Sequence, residues 1–100
     1  ICGGITELIA ICSMADLYEI QVSLHTCHGP ISTAASLQVE AALPNFQFHE
    51  VHRVALLQEN IALGEVPLCP VNGMYHLPEG HGIGQELSKW ALSHCERMVL

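Results

Sequence analysis

The sequence predicts an α/β fold, and three features carry that expectation. Ile20 to Thr26 alternates, with Ile20, Val22 and Leu24 on one face and Gln21, Ser23 and His25 on the other; a period of two marks a strand. Asn45 to Glu50 reads as a second strand with Phe46, Phe48 and Glu50 on one face. Between the two lies one helix-sized apolar segment, Ser32 to Leu43. Strands joined by a crossover of that length run parallel and as neighbours, about 5 Å apart. His25 and Glu50 leave the same ends of the two strands, so both can touch one small ligand.

The other elements follow from local signals. Gly3-Gly4 is a turn leading into a helix that extends to about Glu19, with Thr6 as the expected N-cap and Glu7 at its positive end. Ile5, Leu8, Ile9, Ile11, Cys12, Met14, Ala15 and Leu17 make that helix apolar nearly all round, which calls for neighbours on more than one side. Gly29-Pro30 ends the first strand and opens the next helix, proline being well suited to a first helical position. Pro44 stops that helix. Val54 to Asn60 reads as a short helix. Glu65 to Val71 and Met74 to Leu77, joined by Asn72-Gly73, read as a hairpin. A glycine-rich loop from Gly80 to Gly84 leads to a final helix of about Glu86 to Cys95.

One hundred residues make at most one small domain. Charged residues are 13% of the chain and hydrophobic ones 50%, against ~25% charged in typical soluble domains. Thirteen charges cannot coat a free-standing surface of this size, so the chain reads as a piece of a larger fold. No apolar run approaches the roughly 20 residues of a membrane span, and no secretory leader is expected, because Glu7 sits in the first turn with nothing basic ahead of the apolar part. A net charge of −7, with Arg53, Lys89 and Arg97 as the fixed cations, excludes a nucleic-acid face. Five scattered cysteines without a Cys-x-x-Cys spacing fit reduced thiols in a cytoplasmic protein.

Gly3-Gly4-Ile5-Thr6-Glu7, a helix ending in Met14-Ala15-x-x-Tyr18, His25 followed by Gly29-Pro30-Ile31, and Pro44-Asn45 with Glu50 five residues on occur in a specific order. Together they resemble the C-terminal region of an enolase-superfamily barrel, of the mandelate-racemase-like group, nearest to sugar-acid (galactonate-type) dehydratases. The likeness covers nearly the whole chain. It implies a TIM (β/α) barrel of which this chain holds strands seven and eight with helices six and seven in residues 1–60, and the return segment to a capping domain, with hairpin and final helix, in residues 61–100. It implies that His25 is the general acid/base and that Glu50 holds the substrate oxygen as an enolate forms. It further implies Mg²⁺ bound by carboxylates upstream of Ile1, an aspartate partner for His25 also upstream, a small sugar acid as substrate and a homo-oligomeric full-length enzyme. The chain departs from the pattern at His81-Gly82-Ile83-Gly84, where the family usually has proline first, and at Ala10, a position often basic.

The chemistry suits those residue types. Imidazole titrates near ~6.5 and can both take and return a proton at neutrality. A carboxyl group that strengthens its hydrogen bond as charge builds on oxygen stabilises the enolate. Without the resemblance, a histidine at a strand end is more often structural than catalytic, and Glu50 an ordinary surface acid. His25-x-x-His28 and His49-Glu50-Val51-His52 lack zinc spacing, and Gly80-x-Gly82-x-Gly84 opens no strand–helix–strand unit that would cradle a nucleotide. Alternatives to a dehydratase are a racemase or epimerase using the same histidine, or a non-catalytic barrel fragment; a muconate-type cycloisomerase is disfavoured. The hundred residues alone are expected to be inactive, since none of them is assigned as a metal ligand.

Overall fold

The computed structural model describes residues 2–96 and 98. Arg97, one of the fixed cations, lies outside the described residues. The first helix, α1, spans Ile5–Leu17. Its cap is Gly4 at φ 132°, with no side-chain hydrogen bond, and Thr6 falls inside the first turn. The reason lies in the entry: Gly3 and Gly4 both take φ values above 100°, which favour glycine and leave no room for a serine- or threonine-type cap. Glu7 does occupy the first turn.

α1 also stops before Glu19. Glu19 adopts φ 56°, its N–H donates to Asp16 O at 2.9 Å, and the Ile20 N–H donates to Ala15 O at 3.0 Å. This is a Schellman closure with glutamate where glycine is usual. A side chain in that conformation is strained, and glycine relieves the strain at a smaller entropic cost. Glu19→Gly is therefore expected to stabilise the protein by about 0.5–1 kcal/mol, measured as a higher denaturant midpoint at unchanged slope.

The two expected strands do pair in parallel, as β1 (His25–Thr26) and β2 (Glu50–Val51). Their ladder is shorter than the alternation suggested. His25 pairs with Glu50 and Thr26 with Val51; earlier in the chain a single parallel bridge joins Val22 to Phe46. The partner offset is 24 residues at that bridge (46 − 22) and 25 at the ladder (50 − 25). One extra residue is thus accommodated on the second strand, as in a β-bulge. Within it, Phe46, Gln47, Phe48 and His49 all border the same cavity of about 600 Å³, while Glu50 does not. The expected common face of Phe46, Phe48 and Glu50 is broken by this insertion.

The crossover helix α2 runs Pro30–Glu40 with Pro30 at its first turn and Gly29 as N-cap, so it starts two residues earlier and ends three earlier than Ser32 to Leu43. Asn45 then locks the layers together. Its amide Nδ2 donates to Cys12 O and to Ile20 O, both at 3.0 Å, tying α1 to the start of the second extended stretch. Cys12, the buried residue of α1, has its thiol pushed up by burial, with Cys2 adding to the effect.

After β2 the expected single helix is split into a 3₁₀ turn, Arg53–Leu56, and α3, Gln58–Ile61, because Leu57 is extended (ψ 141°). Asn72 and Gly73 form the tight turn with positive φ at both positions, but only Val71 and Met74 pair across it. Pro67 and Pro70 lack the N–H groups a longer ladder needs. Instead of a hairpin, Gly64 bridges Leu87 and the Glu65 N–H donates to Glu86 O at 2.9 Å. That pairing delays the last helix: α4 spans Lys89–His94, with Ser88 Oγ accepting from the Ala91 N–H.

Two glutamines fasten the return segment. Gln38 Nε2 donates to Pro78 O at 2.8 Å and Ile83 O at 3.3 Å. Gln85 exchanges two hydrogen bonds with the Val66 backbone, at 2.9 and 2.6 Å. Beneath them Ala34, Leu37 and Leu68 form the core cluster, flanked by Tyr75 and Ile83.

Candidate functional site

α2 returns the chain so that the C-terminal ends of β1 and β2 and the N-terminus of α2 lie on one side. On that side His25 Nδ1 and Glu50 Oε1 are 2.9 Å apart. Both side chains are more than half exposed, whereas the next residue, Thr26, is fully buried; the pleat thus sends His25 outward and Thr26 inward. A solvent-exposed pair of this kind adds little to stability. Its geometry is the notable feature: a base and an acid from neighbouring strands meeting at one point.

The backbone supports the pair. The His52 N–H donates to Thr26 O at 3.0 Å, closing the ladder just beyond Glu50. His52 itself turns away to accept from the Val54 N–H through Nδ1 at 3.3 Å. Cys27 Sγ and His28 Nδ1 stand 3.8 Å apart beside the site. Among the described residues, no group of three or more His, Cys, Asp or Glu side chains could hold a metal ion. The residues present therefore do not fit a Mg²⁺ site.

A second pairing went unread in the sequence. His49 Nδ1 and Glu40 Oε2 are 2.7 Å apart, with side chains 8% and 3% exposed, and the Tyr75 ring meets His49 edge-on at a centroid distance of 5.1 Å. Burial, and secondarily Cys69, pushes the Tyr75 hydroxyl up. The signal was available. Glu40 follows Leu37 by three positions on the buried side of α2, and a buried acid needs a partner.

This geometry can be set beside known proteins. Residues 1–91 match the model of the enolase C-terminal domain-like family. The chain belongs to that family. This member of the enolase C-terminal domain-like family is 39% identical over 85 residues to D-xylonate dehydratase of Haloferax volcanii, covering 85% of this chain and 20% of that protein. It is 31% identical over 106 residues to D-galactarolactone cycloisomerase of Agrobacterium fabrum, covering 92% and 26%. A solved enolase-superfamily member from Salmonella Typhimurium superposes with a TM-score of 0.88 at 50% identity, over 93% of this chain and 24% of that one. The chain thus spans about a fifth to a quarter of the proteins it resembles. Its α/β architecture is that of the superfamily's C-terminal domain. No helix among the described residues is long and apolar enough to cross a membrane.

Proposed function

We propose that this chain is the C-terminal portion of a Mg²⁺-dependent sugar-acid dehydratase, with His25 as acid/base and Glu50 as the group that holds the substrate oxygen. The observation that carries the reading is the 2.9 Å meeting of His25 and Glu50 at paired strand ends in a chain related to a D-xylonate dehydratase. In this reading residues 1–60 belong to the barrel around its seventh and eighth strands, and residues 61–100 return toward the capping domain. The Mg²⁺ ligands and an aspartate partner for His25 come from elsewhere in the full-length protein, which is a cytoplasmic homo-oligomer.

The steps assigned to this chain are proton movements. Neutral His25 takes the proton from the carbon next to the substrate carboxylate through Nε2, since Nδ1 is the nitrogen turned toward Glu50. The electron pair left on carbon moves into an enolate, whose oxygen accepts a hydrogen bond from Glu50 held as the carboxylic acid. The histidinium then gives its proton to the departing hydroxyl at the adjacent carbon, so that water leaves and the enol product tautomerises to a keto acid. Carboxylate neutralisation is outside what these residues do. A racemase would use the same first step and return the proton to carbon.

The test is an assay of a panel of aldonic and aldaric acids with the full-length protein, following keto-acid formation with and without a chelator. Chelator-sensitive dehydration is expected from the full-length protein and no turnover from the hundred residues alone. Measurable turnover by the isolated chain, or retention of the substrate hydroxyl by the full-length protein, contradicts the reading.

A further inference from the structure

The buried Glu40–His49 pair takes no part in the steps above, and stability alone does not account for it. Glu40 Oε1, His49 Nε2 and the neighbouring Tyr75 hydroxyl are buried without a hydrogen-bond partner. A buried polar pair left so incompletely satisfied is commonly no more stable than two apolar side chains of similar volume. Its position suggests another purpose. His49 lies in the stretch between Phe46 and Glu50 where the second strand takes up its extra residue.

That extra residue decides which side chain meets His25. If the offset of 24 at Val22–Phe46 continued, His25 would stand beside His49, and Glu50 beside Thr26, whose side chain is fully buried. A shift of one residue sends every side chain of a strand to its other face. Bulges next to active sites re-aim side chains in this way, and buried polar pairs are best attested as devices that fix register. We propose that Glu40 and His49 are positioning residues: their buried contact holds His49 against α2, fixes the extra residue in place, and so presents Glu50 to His25. The same contact ties the residue just before β2 to the helix that begins four residues after β1 ends.

This assignment rests on the catalytic reading of Glu50, but the register can be read without turnover. The His52 N–H reports it, because its bond to Thr26 O at 3.0 Å exists only with the offset of 25. In the full-length protein, His49→Leu removes the polar contact, while His49→Asn keeps a donor near the position of Nδ1. For His49→Leu, faster hydrogen exchange at His52 and a kcat about 10²-fold lower at nearly unchanged KM are expected, as for a misplaced catalytic group. His49→Asn is expected to restore both to within about threefold of the native protein. Should His49→Leu fail to fold, the double variant Glu40→Leu/His49→Leu, which leaves no buried charge, is measured in its place. Retained His52 protection in the leucine variant, or equal losses in the leucine and asparagine variants, overturns the proposal. If His25→Asn leaves turnover intact, the catalytic reading fails, while His52 exchange still judges the register.

Discussion

His25→Asn in the full-length protein is expected to lower sugar-acid turnover by about 10³-fold, within the range for loss of a general acid/base. Asparagine places an amide nitrogen close to where Nδ1 stands, so the contact to Glu50 at 2.9 Å can be kept. What disappears is Nε2, the nitrogen assigned to the substrate. KM and the melting temperature should therefore change little, because the side chain is exposed and such substitutions usually stay within about 0.5 kcal/mol. Steady-state kinetics beside a thermal melt separates the two effects. A proportional loss of kcat and of folded protein would place His25 in a structural role.

The second large effect concerns the loop that closes the return segment. Gly84 sits at φ 71°, and a Cβ there would lie 2.8 Å from both the carbonyl carbon and the oxygen of Pro78. Those are backbone atoms, and Pro78 O also accepts from Gln38, so the neighbour cannot move without loosening the return segment from α2. Left-handed strain of about 1–2 kcal/mol and overpacking of about 1–3 kcal/mol act together. Gly84→Ala is expected to destabilise the protein by about 2–4 kcal/mol, measured by denaturant titration. Gly82 has a similar φ of 62° but nothing within 4 Å of its would-be Cβ, so Gly82→Ala should show the conformational strain alone, about half the effect or less.

Much of the site was legible because it follows from spacing. Period-two alternation, a helix-sized gap and Gly29-Pro30 at the turn were enough to make the strands parallel and to bring His25 and Glu50 to the same end. The misreadings share a physical cause: each was decided by backbone conformation or by pairing over long sequence distance. Thr6 has the right chemistry for a cap, but Gly3 and Gly4 bring the chain in at angles that put the cap at Gly4. Asn72-Gly73 does make its turn, yet Pro67 and Pro70 deny the flanks a ladder, and Glu65 pairs with Glu86 instead. Glu86 was read as the start of the last helix, and that strand-like contact keeps it out of the helix, which begins at Lys89. The inserted residue ahead of Glu50 is invisible to alternation, because it changes the face of the side chains without changing their identity.

The most direct measurement is a double-mutant cycle on kcat/KM with His25→Asn, Glu50→Gln and the two combined, in the full-length protein. If both side chains act on one substrate in one transition state, the double variant should be no more than about threefold worse than the poorer single variant. Losses that simply multiply would show that His25 and Glu50 act independently, and would contradict a shared site.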